Sequence, residues 1–194
     1  HPVGGCARGD IGVEQDANGV ITMRGGGSDI WLTSDHFTFL HQKVAGNVRI
    51  TATFLTRPTG VTLASKAGLM VREGLAADAQ NLVITLRPDG IMNQWRPETG
   101  GEGEFSEFAI PDAELGFAII KAPVHLRLER RGNEITTFYS LDGTTFQPVG
   151  DPVTLSGLDN EVEVGVALTS RDVDAAQRPR ISEVQFRDVK IEKL

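Results

Sequence analysis

Residues 48–54 of this chain read VRITATF, and this stretch shows how the fold is encoded. Apolar residues occupy every second position from Val48 to Phe54, and Arg49 and two threonines fill the positions between them. Successive side chains of a β-strand point to opposite faces, so the alternation predicts a strand with one buried and one wetter face. Residues 124–129 and 161–169 alternate in the same way. The pattern is typical of antiparallel sheets.

Turn-forming residues separate the alternating segments. The pairs Asp89-Gly90 and Asp142-Gly143 are each expected to close a hairpin, because such pairs tolerate the positive φ of tight turns. No segment shows convincing helical spacing over three turns, and many short strands with Gly-rich turns predict an all-β sandwich or barrel. The twelve predicted strands are residues 11–15, 20–24, 36–41, 46–56, 66–73, 80–87, 91–96, 104–109, 123–130, 134–141, 161–169 and 182–192.

Length and charge limit the domain organisation and the partners. The 194 residues suit one domain, so we expect a single unit over 1–194 with a loose N-terminal segment at 1–9. The net charge of −7 disfavours nucleic acid as a partner. We also expect no transmembrane segment, because no apolar run is long enough to cross a bilayer.

Five phrases occur along the chain in this order: residues 27–37, 65–73, 94–101, 139–150 and 164–170. Together they resemble a family of bacterial laminin G-like, concanavalin A-like domains related to the fungal regulator of enolase. The phrase KAGLMVRE is the most specific of them, and the resemblance extends over nearly the whole chain. It implies a two-sheet antiparallel jelly roll in a secreted, periplasmic or cell-surface protein, where the domain often adjoins other domains of a larger polypeptide.

A polar face is the main candidate for a binding site. Counting by twos along the predicted strands places one group of polar residues opposite the apolar rows. If their strands are neighbours in one sheet, this group forms a single outer surface suited to a sugar, with cationic and amide donors and one ring. The alternative is an ordinary wet sheet face. The group consists of Arg72, Gln94, Arg96, His125, Arg127 and Tyr139.

Catalytic patterns of this architecture are missing from the sequence. No Glu-x-Asp-x-(x)-Glu arrangement is present that would aim two carboxylates at one sugar. The sequence therefore favours a non-catalytic carbohydrate-binding module. The alternatives are a polysaccharide hydrolase or lyase, in which Tyr139 or His125 would act as the base, and a structural or protein-interaction module.

Two acids and two tryptophans complete the list of candidates. Asp10 lies near the first predicted strand and Asp188 in the last. Sandwich domains often set their terminal strands side by side, so the two acids could together ligate a structural calcium ion. Otherwise both acids are simply exposed. Trp31 and Trp95 are expected to pack in the core or at a sheet edge, since large aromatics dominate sandwich cores.

Overall fold

The alternating segments form β-strands in the computed structural model, which describes residues 1–4, 11–59, 64–87, 90–108, 122–174, 176 and 180–194. Within these ranges there are fifteen strands and no helix, and thus no helix that could cross a membrane. The strands are β1 (Pro2–Val3), β2 (Gly12–Gln15), β3 (Ile21–Gly25), β4 (Phe37–Ala45), β5 (Val48–Phe54), β6 (Lys66–Arg72), β7 (Asn81–Arg87), β8 (Gly90–Arg96), β9 (Glu104–Phe108), β10 (Val124–Arg131), β11 (Glu134–Ser140), β12 (Gln147–Pro148), β13 (Val153–Thr154), β14 (Glu161–Thr169) and β15 (Ser182–Lys193).

The twelve predicted strands are all present. The largest difference is at β4, which continues to Ala45 instead of ending at residue 41. The three strands that were not predicted, β1, β12 and β13, have two residues each and are too short to show an alternating pattern.

Two antiparallel sheets contain these strands. The first sheet has the order β1-β4-β14-β6-β7-β8-β9, and the second has the order β12-β11-β10-β5-β15-β3-β2, with β13 pairing to β11. The chain changes sheet repeatedly: β4 and β5 follow each other in sequence but lie in different sheets, and β14 and β15 do the same. The prediction of an all-β, two-sheet antiparallel fold is confirmed.

The main core lies between the sheets, where the predicted apolar rows meet. Ile50 and Leu128 of the second sheet and Leu69, Ile84 and Val164 of the first are completely buried there. Burying one such side chain stabilises the fold by about 1.5–3 kcal/mol. Along β10 the exposure alternates residue by residue, as predicted for a strand with one wet face.

The middle of the first sheet, around β6, is buried on both faces, which the sequence did not predict. A second apolar cluster packs on its outer face, where Phe37, Phe39 and Met70 are fully buried together with Ile30. Every residue of β6 is therefore buried. Segments 26–36 and 73–80 cover part of this face, and they contact each other through the Asp35 amide, which donates to the Ala77 carbonyl at 2.7 Å.

Both predicted hairpins join neighbouring strands. β7 pairs with β8 down to Arg87 and Gly90, although Asp89 itself lies outside the described residues. β11 pairs with β12 around Asp142, whose carboxylate accepts the backbone N–H groups of Thr145 and Thr144 at 2.7 Å each. These bonds, that from Thr145 first, lower the pKa of Asp142 well below its ordinary value.

Candidate functional site

Arg72 and Arg96 were predicted to face outward from the sheet, but they are fully buried. Arg96 grips Asp35 with two hydrogen bonds of 2.7 Å, from Nη1 to Oδ2 and from Nη2 to Oδ1. Arg72 donates from Nη1 to the same Oδ2 at 3.3 Å. We call Arg72, Arg96 and Asp35 the buried arginine cluster. Its charges are taken up by the chain itself, which is the usual condition for burying ions.

The buried arginine cluster fastens the covering segments to the first sheet. Arg72 donates to the backbone carbonyls of Gly74 and Ala76. Arg96 donates from Nη2 to the Leu32 carbonyl at 3.0 Å and from Nε to the Gly101 carbonyl at 3.1 Å. Three loops are thus held by two side chains, so the cluster determines the shape of the surface above the sheet.

The other predicted residues on β10 and β11 belong to the second sheet. His125 shares a hydrogen bond of 2.9 Å with Thr53, and the Arg127 guanidinium lies 3.6 Å from the centre of the Phe146 ring. Tyr139 faces the core between the sheets, and its hydroxyl donates to Gln147 at 2.9 Å.

The prediction of one shared surface is therefore wrong for two physical reasons. Arg72, Gln94 and Arg96 lie in the first sheet, whereas His125, Arg127 and Tyr139 lie in the second. In addition, Tyr139 pairs directly with Leu126, and paired residues share a face, so the tyrosine points inward.

A pocket on the outer face of the first sheet is the best candidate for a binding site. Its volume is about 190 Å³, and it is open to solvent. Residues of β6, β7, β8 and β9 form its floor and one wall, and the segments after β3 and β14 form the other wall. The lining consists of Asp29, Trp31, Lys66, Arg87, Met92, Gln94, Phe105 and Arg171. Gln94 is the one residue of the predicted polar face that lies here.

Two aromatic rings form the apolar part of the pocket. Trp31 and Phe105 meet edge to face, with ring centres 5.4 Å apart. The Phe105 side chain is unusually exposed for a large apolar residue, at 53%. An exposed aromatic ring beside polar groups offers a surface for the apolar face of a ligand. Trp31 thus packs at the sheet edge, against Phe105 of the edge strand β9, and also lines the pocket, whereas Trp95 packs against the main core.

Asp29 organises two of the three cations in the pocket. Its Oδ1 lies 2.7 Å from Lys66 Nζ and its Oδ2 lies 2.9 Å from Arg171 Nε. The backbone N–H of Ile30 also donates to Oδ1, at 2.8 Å. Lys66 is almost fully buried, and this desolvation lowers the pKa of its ammonium although Asp29 acts in the opposite direction.

Gln94 brings an unsatisfied acceptor to the pocket. Its amide nitrogen donates to the Ile30 carbonyl at 3.1 Å, and the side chain is 3% exposed. Its Oε1 is buried and has no hydrogen-bond partner among the described residues. An unpaired buried acceptor costs about 1–3 kcal/mol, so its presence beside a pocket points to a donor supplied by a ligand or by water.

Backbone strain is concentrated at the pocket wall. Leu32 and Arg171 both adopt positive φ, at 53° and 46°. This conformation is disfavoured for residues other than glycine, and strained backbone of this kind clusters at functional sites. The Leu32 carbonyl is held from two sides, by Arg96 and by the Gly103 N–H at 3.0 Å. These bonds fix Trp31 next to it.

The predicted polar face did not include Lys66 and Arg87, although the sequence contains a signal for both. Lys66 has the same parity as Arg72 on β6, so counting by twos from Arg72 reaches Lys66. Arg87 ends the neighbouring strand β7, which makes it a further candidate. Asp29, Trp31 and Arg171 lie on connecting segments, where no periodicity indicates direction.

The calcium site stays a prediction. Asp10 lies outside the described residues. Asp188 sits at a bulge of β15 with a φ of 54° and pairs with Arg187 at 3.4 Å. Calcium takes about six to eight oxygen ligands, and the described residues contain no group of three or more side chains suited to a metal.

No family model matches this chain, and its sequence matches no curated protein. Solved structures do resemble it. A functionally unknown protein from Saccharomyces cerevisiae superposes with a TM-score of 0.67 at 18% identity, covering 94% of this chain and 92% of its own. The alginate lyase from Klebsiella pneumoniae gives 0.60 at 11% identity, covering 97% and 86%. The carbohydrate-binding module CBM66 from Bacillus subtilis gives 0.56 at 14% identity, covering 98% and 97%.

The chain has a concanavalin A-like jelly-roll fold. At such low identities the likeness concerns the fold alone, because one fold can carry unrelated functions. The fold expected from the resemblance in sequence is thereby confirmed.

Proposed function

We propose that this chain is a carbohydrate-binding module and that the saccharide binds in the pocket of Trp31, Phe105 and Gln94. The observation that carries the proposal is that an aromatic pair, of which Phe105 is exposed and Trp31 partly buried, lies beside a buried amide oxygen with no partner among the described residues. A pyranose has an apolar face, which would pack on the rings, and hydroxyl groups, one of which would donate to Gln94 Oε1. Two structural neighbours, a carbohydrate-binding module and an alginate lyase, agree with a saccharide ligand.

The proposal includes the biological setting that the sequence resemblance implies. The domain would work outside the cytoplasm or at the cell surface, beside other domains of a larger polypeptide, and would share ancestry with the regulator-of-enolase group. The two alternatives are a polysaccharide-acting enzyme and a protein-interaction module. The residues named for a lyase base, Tyr139 and His125, lie in the second sheet, away from the pocket. This placement favours binding over that form of catalysis.

Glycan-array binding of wild type and of Trp31→Ala tests the proposal. We expect wild type to retain a defined set of glycans, and Trp31→Ala to bind them about tenfold more weakly or worse, because the stacked surface is lost. Phe146→Ala is the matched control, since Phe146 is a half-buried aromatic residue in contact with Arg127 of the second sheet. Reducing-end and unsaturated-sugar assays on the same glycans would reveal an enzyme. The proposal fails if wild type binds no glycan, or if both variants bind as wild type does.

A further inference from the structure

The pocket concentrates positive charge on a protein that is negative overall. Among the described residues, its lining holds three cations, Lys66, Arg87 and Arg171, and one carboxylate, that of Asp29, whereas the chain as a whole carries a net charge of −7. Cations gathered in a cleft focus the local field and attract anions even when the rest of the surface repels them. A pocket meant for a neutral sugar gains nothing from this arrangement.

Lys66 is the most costly of these cations. Its side chain is 4% exposed, so most of its hydration is lost, and the structure offsets this loss with one ion pair to Asp29. Arg87 and Arg171 both lie close enough to repel its charge. An anion bound beside Lys66 would relieve this repulsion, so these charges favour an anionic ligand.

Asp29 positions the cations without using up their donors. Its Oδ1 is shared between Lys66 and the Ile30 N–H, and its Oδ2 faces Arg171. An ammonium and a guanidinium together carry more N–H donors than these two oxygens can accept. The carboxylate thus orients both cations, much as a structural counter-ion does, and a second carboxylate could be bound by the donors that are left.

We propose, on the basis of the carbohydrate-binding function above, that the ligand is an acidic saccharide, with a uronate carboxylate bound by Lys66 and Arg171. The aromatic pair then packs on the sugar ring, and Gln94 Oε1 accepts one of its hydroxyl groups. Charge selects the acid, and the rings and the amide select the saccharide.

The test uses ligand pairs that differ only at the carboxyl group, which is ionised in the acid and neutral in the methyl ester. Tetragalacturonate is compared with its methyl ester, and tetramannuronate with its methyl ester, by titration calorimetry on wild-type protein. We expect at least one acid to bind about tenfold or more tightly than its ester, with a preference that shrinks as salt is added. Loss of a charged hydrogen-bond partner weakens binding about tenfold to a hundredfold, so Lys66→Met and Arg171→Gln should each remove most of the preference and leave the ester nearly unchanged.

Lys43→Met is the matched control. Lys43 is 60% exposed and lies in the same sheet, but at the far end from Lys66. It pairs with Glu163, and Glu163 pairs with Arg72, which ends β6, whereas Lys66 begins it. It should leave the preference for the acid intact. If Lys66→Met does not fold, Arg171→Gln decides, because the Arg171 side chain is 48% exposed.

The possible outcomes separate the two proposals. Esters that bind as well as the acids would overturn the acidic ligand and leave carbohydrate binding standing. If Lys66→Met and Arg171→Gln both kept the wild-type preference for the acid, the binding of the carboxylate by these two residues would be overturned. A wild-type protein that binds neither these ligands nor any glycan on the array would overturn both.

Discussion

Replacing Arg96 with Met tests whether the buried arginine cluster stabilises the fold. Arg96 donates to both Asp35 oxygens and to the carbonyls of Leu32, Ala79 and Gly101. Methionine fills similar space but donates nothing. The variant leaves the buried Asp35 carboxylate with the weak contact to Arg72 at 3.3 Å and a hydrogen bond from Asn81, and it leaves three carbonyls without this donor.

Breaking a buried ion pair by removing one partner typically costs about 3–5 kcal/mol. The lower half of that range applies here, because Asn81 Nδ2 still donates to Asp35 Oδ2 at 3.0 Å. For a chain of this length, each kcal/mol lowers the melting temperature by about 2–4 °C. We therefore expect the free energy of unfolding of Arg96→Met to fall by about 3–4 kcal/mol, and its melting temperature by about 6–16 °C.

Urea unfolding followed by circular dichroism measures this difference, with Arg127→Met as the matched control. Arg127 stacks on Phe146, and its buried Nε has no partner among the described residues, so the control loses only a cation–π contact of about 0.5–1 kcal/mol. The reasoning is refuted if Arg96→Met and Arg127→Met unfold at the same urea concentration. In that case Arg96 would be the exposed donor that strand parity predicted.

Two further perturbations test the backbone and a turn. Gly68→Ala should lower the free energy of unfolding by about 1–3 kcal/mol, because its Cβ would lie 1.8 Å from the Ile84 carbonyl oxygen in the neighbouring strand. Gly12→Ala, whose Cβ meets nothing within 4 Å, should be nearly neutral, and equal unfolding curves for the two would contradict this packing. Asp142 has a lowered pKa in the folded state, so its contribution to stability is complete above its ordinary value of 3.8 and is lost as the pH falls below it. Melting curves of wild type and Asp142→Asn should therefore converge as the pH drops through that region, and a constant gap between them down to pH ~2 would show that the carboxylate charge is irrelevant.

The strands of this fold could be predicted from the sequence because most of them have one wet face. β5 and β10 alternate strictly, so both their existence and their inward side follow from parity. β6 is different: all seven of its residues are buried, and the outward Met70 belongs to a second apolar cluster. The unbroken run of residues without charge between Lys66 and Arg72 was the signal in the sequence that both faces of β6 are covered.

The candidate site could be predicted less well, since it depends on contacts between distant parts of the chain. Parity placed Gln94 correctly on the outer face, but it could not show that β8 and β10 belong to different sheets. The sheet to which a strand belongs depends on the strands with which it pairs. The ion pair of Asp35 and Arg96 likewise joins residues that are 61 positions apart. The pocket walls around Trp31 and Arg171 are connecting segments, and their course is set by those pairings.

The place of β15 has a consequence for how the domain is made. β15 follows every other strand in the chain, yet it lies in the interior of the second sheet, between β5 and β3. Until residue 193 has been synthesised, the hairpin of β2 and β3 has no strand to join, and β5 presents an open edge. Pairings between such distant segments form slowly, and open edges invite contacts between chains. The second sheet can therefore close only after β15 has been synthesised, and β5 keeps an open edge until then.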